Sequence, residues 1–369
     1  MLKKTVLTCS ILICLSAAIA QNGVGFYYDY TKNFHVFDKG NDIQLESTPV
    51  NNIKTGNDYL TYLDQKSSFI YYFDGQKQIL EENPPNKTIA IPSAIVYKME
   101  QRLMICEKGQ KKLLARNVDF FYADDSIIVW QEIPSKDIKV YENGKVQTMI
   151  SAISSEVIND LKTGKNIIAY NDLNFDLNIF YKGKNYNTEV NRVTNYKCGN
   201  GIVAYLDSYK NTFNAFYNGE FKVLSKTIIK NYFVANNMIA FVDANDNFMI
   251  FYDGAITKID SRSPDFFYTQ NNILYYSYNS ELKIIYAGEI LTERLIPQQN
   301  IIPGYESILF YNTSNIPFYF YKGKVIDNFY VQRPFTVSLN MDLPIFRYGE
   351  NTIGFFYNGK IYEYYTRSN

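Results

Sequence analysis

The sequence predicts an all-β fold made of about ten repeats of roughly 35 residues, each contributing four short strands, and three observations carry that prediction. Ten glycines, Gly40, Gly75, Gly109, Gly144, Gly183, Gly219, Gly254, Gly288, Gly323 and Gly359, recur at intervals of 34 to 39 residues. Several close the same phrase, as in Phe180-Tyr181-Lys182-Gly183, Phe216-Tyr217-Asn218-Gly219 and Phe251-Tyr252-Asp253-Gly254. Aligned on these glycines, the residues six and four places earlier are apolar or aromatic in every repeat, whereas those five places earlier are mixed. That alternation is the period-2 mark of a β-strand, and a fixed period along almost the whole chain marks a repeat architecture.

Each element of the repeat has its own signal. The strand before the glycine is apolar on both faces near its end, which suits a sheet packed between two neighbours. The residue just before the glycine is Lys, Asp or Asn in nine of the ten repeats. Asn-Gly and Asp-Gly favour a two-residue type I′ turn, so a return strand follows, such as 145–150. Upstream lies another apolar strand, at 166–170, 201–206 and 238–242. Its small residues Ala169, Ala204 and Ala240 suggest close backbone approach. Before it a further strand, at 193–197 or 229–234, joins through polar turns such as Cys198-Gly199-Asn200-Gly201.

A four-stranded antiparallel unit, apolar on both faces and repeated many times, resembles the blade of a β-propeller. The Trp-Asp ending of WD repeats, the Asp-box and the Trp-rich quinone-propeller signatures are absent, so the resemblance is to the architecture alone. It implies one ring of about ten units spanning residues 21–369. Two smaller propellers dividing near 150–165 are the alternative, and a β-solenoid is the less favoured one. The first unit enters at its second strand, near 25–30, and the last ends at its fourth. One strand is missing, so the terminal sheets must meet imperfectly or borrow.

The first 20 residues read as a secretory signal peptide: Lys3 and Lys4, an apolar run, then Ala18-Ile19-Ala20. Cleavage is expected before Gln21. Cys9 and Cys14 leave with it, while Cys106 and Cys198 fall in different repeats and are expected to stay unpaired. No later stretch approaches the ~20 apolar residues of a membrane span. The last residues fall inside a return strand, which favours a periplasmic or freely secreted protein over a tethered one. With 37 basic and 37 acidic residues and no long like-charge run, nucleic acid is not an expected partner. No cofactor is expected, and a monomer is.

In a meander the Gly hairpins and the turns between first and second strands share one rim. The loops between second and third strands share the other with the blade-to-blade connections. This second rim carries the variety, at 81–85, 151–160, 260–264 and 293–299, and function resides on such loops. It also carries a recurrent acid: Asp29, Asp64, Asp172 and Asp243 lie eleven residues before their glycine, and Asp207 twelve before. These are the candidate ligand-binding residues. They also fit turns in which Asp caps nearby backbone amides. Asp243 to Asn247 offers oxygen ligands but lacks the glycine and distal Glu of a calcium loop, so no metal is expected. His35, the single histidine, sits mid-strand and reads as a half-exposed strand residue. No nucleophile elbow, zinc helix or phosphate loop occurs. The expected function is an exported, non-enzymatic propeller that binds a protein or glycan through the loop-rich rim. The alternative is a polysaccharide-active enzyme using two rim or channel carboxylates. Sequons at Asn86 and Asn312 matter only in a eukaryotic source.

Overall fold

The structure, a computed structural model, describes residues 21–366 apart from 152–158, 173, 192, 194, 280, 296–300, 312–315, 327–335 and 350. The signal peptide and the Asn312 sequon lie outside the described residues. So do most of the 151–160 loop and part of the 293–299 loop.

Ten antiparallel sheets follow one another as meanders, nine with four strands and the first with three. They are blades 1 to 10, spanning 25–46, 51–81, 87–115, 118–150, 159–191, 196–225, 231–260, 266–295, 302–326 and 336–365. All ten repeat glycines have positive φ, from 77° to 90°, and so does the residue before each, from 45° to 53°. These are the two left-handed positions of a type I′ hairpin, which only glycine tolerates easily in the second place. The strands lie close to their expected places. Cys198 and Gly199 prove to end the first strand of blade 6 (Tyr196–Gly199), leaving Asn200 and Gly201 as the turn.

The core is not one mass. Ten apolar clusters each join two neighbouring blades, and the tenth joins blade 10 to blade 1. That closing cluster holds Tyr27, Phe37, Leu343, Ile353 and Phe355, with Phe37 and Phe355 stacked at 4.7 Å. At ~2 kcal/mol per buried side chain it contributes on the order of 10 kcal/mol of gross burial. The ring is therefore closed. Neither two separate propellers nor an open solenoid describes it. Cys106 and Cys198 are both free thiols.

Tyrosine ties the blades at their rims. In the repeated phrase, Tyr181 donates to Asn218 of the next blade at 3.2 Å, and Tyr217 to Asp253 of the one after at 2.9 Å. Further out, Glu46 accepts Tyr62 and Lys77, and Glu81 accepts Tyr97 and Lys111, again across blades.

At the channel the first strands approach so closely that small residues are required. A Cβ on Gly164 would meet the Gly199 carbonyl oxygen at 2.2 Å, and one on Gly199 the Ala235 carbonyl oxygen at 2.0 Å. Ala169, Ala204 and Ala240 are fully buried on the second strands behind them. The turns after these first strands are stitched by backbone hydrogen bonds from blade to blade: Asn57 to Pro92, Gly201 to Lys165, Asn237 to Asn200, Asn236 to Asn271 and Tyr305 to Met341. Across the middle, the Tyr305 hydroxyl of blade 9 reaches Asp125 of blade 4 at 3.2 Å.

Among the described residues blade 1 has no first strand, and the segment before Gly25 takes over part of that strand's role. Asn22 accepts from Asp342 N–H at 2.9 Å, Gly23 donates to Asn57 at 2.6 Å, and Asn340 donates to the Val24 carbonyl. Thr55 and Asn340, from blades 2 and 10, hydrogen-bond directly at 2.6 Å. At the opposite end of the seam Asp29 bridges Thr366. The centre of this closure is Asp342, fully buried, whose carboxylate accepts Glu306 N–H at 2.6 Å, the Ser307 hydroxyl at 2.7 Å and Asn22 Nδ2 at 3.4 Å.

Burial pushes the Asp342 carboxyl up to about 6, against the pull of Ser307 and Glu306 N–H. The folded protein thus keeps a proton that the unfolded chain releases near pH 4. This group's contribution to stability therefore falls as pH rises from about 4 to about 6, by ~3 kcal/mol, and stays at that lower level above. We expect Asp342→Asn to remove that component from the pH dependence of chemical unfolding. Asp342→Ala should lower stability at every pH by stranding its donors, and a wild-type profile retained in Asp342→Asn would refute the assignment.

Candidate functional site

All five candidate acids lie where the meander places them, at the turns between second and third strands. Asp29 accepts Thr31 N–H and Asn33 N–H at 2.8 and 2.9 Å, and Asp64 accepts Lys66 and Ser68 N–H. Asp172 accepts Asn174 and Asp176 N–H, Asp207 accepts Tyr209 and Lys210 N–H, and Asp243 accepts Asn245 and Asn247 N–H. In four of these turns the residue three places after the Asp is left-handed: Lys32, Ser67, Phe175 and Asp246, at φ 68°, 66°, 63° and 65°. The loop is a three-residue hairpin connection whose αL residue the carboxylate stabilises from inside. No hydrogen bond or ion pair among the described residues joins one of the five acids to another.

The capping shows in the charges. Partial burial works against it, yet hydrogen bonds from Thr31 and Asn33 hold the Asp29 carboxyl down at about 2. Asp243 is likewise held below its ordinary value by Asn247 and Asn245, against partial burial. His35 stands beside Asp29, with Nε2 at 3.4 Å from Asp29 Oδ2 and Nδ1 at 3.1 Å from Asp42 Oδ1, stacked on Tyr27 at 4.9 Å. With its side chain 13% exposed, it is not the half-exposed residue expected but an enclosed one, held between Asp29, Asp42 and the Tyr27 ring at the seam.

What these turns present is aromatic. Tyr30 is 71% exposed, Phe175 50% and Tyr209 94%, each within three residues of its capping Asp. Phe175 occupies the left-handed position that Lys, Ser and Asp fill in the equivalent turns. A bulky side chain at positive φ is strained by ~1–3 kcal/mol, and such strain clusters at functional sites. The repeat alignment did not reach these residues because they fall in the turns, where the period carries no constraint. The signal that could have found them is the recurrence of an aromatic within three places of the acid.

The same rim holds a cleft of about 410 Å³ lined by Glu100, Gln101, Arg102, Arg116 and Asn117. A second cleft, of about 380 Å³, lies at the hairpin end of blade 3, with Glu107, Lys108 and Tyr141 in its lining. Neither brings two carboxylates together. A carboxylate pair does occur at the channel, Asp124 beside Asp125, and burial pushes Asp124 up. Both are engaged there: Thr163 donates to Asp124 at 3.1 Å, and Tyr305 to Asp125. Among the described residues no group of three or more His, Cys, Asp or Glu is placed to hold a metal. No helix there is long and apolar enough to cross a membrane.

A family model described as a 10-bladed beta propeller domain matches residues 18–362, and the chain belongs to that family. No curated protein matches the sequence. Among solved structures, the chain is similar to the computationally designed Ika8 protein, at 13% identity and a TM-score of 0.31, covering 75% of this chain and 95% of that one. It is similar to PorZ, a surface component of the type-IX secretion system of Porphyromonas gingivalis, at 9% identity and 0.30, over 86% of this chain. There it spans about half, 52%, of the other chain's length. It is also similar to the CRINKLY WD40 ectodomain of the Arabidopsis thaliana receptor kinase ACR4, at 6% identity and 0.32, over 66% and 99%.

Removing a capping carboxylate strands two or more N–H donors. We expect Asp29→Ala or Asp243→Ala to cost ~1–2 kcal/mol at neutral pH. Because both carboxyls are held below their ordinary values, the loss should shrink as pH falls below about 4 and the wild-type carboxyls also protonate, for Asp29 down to about 2. Equal stability of variant and wild type in urea at pH 7 would remove the capping role.

Proposed function

We propose that this is an exported, non-enzymatic ten-bladed propeller that binds a protein or glycan partner through its loop-rich rim. One observation carries the reading: Tyr30, Phe175 and Tyr209 project from turns that Asp29, Asp172 and Asp207 hold rigid. Aromatic side chains offer large contact area at low entropic cost, on sugar faces and at protein interfaces alike. The five acids serve this reading as the scaffold of the binding rim, with Asp64 and Asp243 shaping neighbouring turns. Export rests on the basic start, apolar run and Ala18-Ile19-Ala20 of the leader, with cleavage before Gln21 and a periplasmic or secreted destination. A ring whose last interface is internal has no open blade face to share, which favours a monomer.

The polysaccharide-active alternative would fall to Asp124 and Asp125 at the channel. Their ties to Thr163 and Tyr305 give each a structural task already, and we favour binding.

The test is a glycan array, run beside a pull-down from a cell-envelope fraction, with the mature protein and the Tyr30→Ala/Phe175→Ala/Tyr209→Ala triple variant. Binding should drop at least tenfold in the variant with little change in melting temperature. Phe175→Gly, which relieves the left-handed strain, should be at least as stable as wild type and still bind more weakly. Full binding by the triple variant would sink the proposal.

A further inference from the structure

We infer that the mature protein begins with pyroglutamate at position 21, a cyclised terminus that helps to close the ring. This rests on the proposed cleavage before Gln21. The residue is 8% exposed, and its Oε1 accepts the Asn358 N–H of blade 10 at 2.9 Å. Its Nε2 is enclosed and makes no hydrogen bond of ordinary geometry, although the Tyr319 side chain lies close by. The chain cannot swing outward from there. Asn22 is held by Asp342, Gly23 by Asn57 and Val24 by Asn340, and Val24 is fully buried.

Cleavage would create an α-ammonium on a residue whose side chain is enclosed. A charge set beside buried groups without a partner is unfavourable. The nearby carboxylate that could pair with it, Asp342, already accepts from Glu306 N–H, Ser307 and Asn22. A terminal glutamine has an exit that needs no co-reactant. The α-nitrogen attacks Cδ and forms the lactam N–Cδ bond, the Cδ–Nε2 bond breaks, and Nε2 leaves as ammonia with a proton from the amine. The product keeps a carbonyl oxygen on Cδ, an acceptor of the kind the Asn358 N–H takes in the open chain. It loses the ammonium charge and the poorly partnered Nε2. The ring closes within one residue, so burial of Gln21 does not bar it, and it can also precede folding.

Intact-mass and terminal-peptide mass spectrometry of the exported protein tests this directly. The expected chain starts at residue 21 and is about 17 Da lighter than its residues require, through loss of ammonia. A chain starting at residue 21 with a free amine would overturn the inference while leaving the cleavage reading intact. A chain starting elsewhere would overturn both. A preparation that contains both forms should be heated and cleared of aggregate, and the cyclised form should be enriched in what stays soluble. Equal survival of the two forms would show that the terminus is not what burial selects, and would overturn the structural role.

Discussion

Closure is the constraint on which the rest of this structure depends. Each blade is apolar on both faces, so no blade is satisfied until a neighbour covers each side, and the first and last can be satisfied only by each other. Among the described residues the first blade is one strand short. It resolves the shortage with the extended segment 21–24, which engages blade 10 through Asp342, Asn340 and Asn358 and blade 2 through Asn57. Asn340 and Thr55 then meet across the gap that the missing strand would have filled. The seam is thus sealed by polar groups at the channel and by the stacked Phe37–Phe355 pair farther out. Asp342 carries a cost in that arrangement, because a buried carboxylate is tolerated only for the donors it collects.

Closure also separates the two rims. On one, Gly hairpins and stitched turns hold neighbouring blades at a spacing that small residues such as Gly164 and Gly199 enforce, so variation there would break the ring. On the other, each loop needs only to return the chain from the second strand to the third. An Asp that satisfies its own turn makes that loop self-sufficient, and whatever stands beside it is free of structural duty. Rigid anchorage with free choice at the tip is the arrangement a binding surface requires.

The sequence made the repeat legible because the constraints that write it are local. A type I′ turn needs its glycine wherever it occurs, and a strand between two sheets needs its alternation, so Gly183 or Gly254 could be read without knowing any contact. The sidedness of the rims followed from the meander. The seam was not legible: Asn22 with Asp342 is 320 residues apart in sequence, and Tyr305 with Asp125 180 residues apart, and periodicity carries no information on such pairs. The acids were visible as a recurrent position, and both a ligand-binding and a capping role fitted that position. Their hydrogen bonds to N–H groups two to four residues on establish the capping geometry. The sequence makes the Cys198 to Gly201 turn two residues too long at its start, because Gly199 looks like a turn residue. It serves instead to let two strands approach.

The abundance of tyrosine, 34 residues, follows from the same geometry. A blade interface is dry in its middle and wet at both rims, and a side chain with an apolar body and a polar tip fits that gradient as phenylalanine cannot. Tyr62, Tyr72, Tyr97 and Tyr217 each bury the ring between blades and give the hydroxyl to an acid on a neighbouring blade. Burial, and then the acid beside it, holds each of these phenols protonated and donating. Against that background the aromatics at the loop tips are the exception. Among the described residues, the side chains of Tyr30, Phe175 and Tyr209 make no hydrogen bond or ring contact. Yet Phe175 holds a backbone conformation that costs more for phenylalanine than for the Lys, Ser or Asp of its sister turns. A ring that commits so many of its aromatic side chains to holding itself together leaves these in solvent, and that contrast is the ground on which they are proposed as the binding surface.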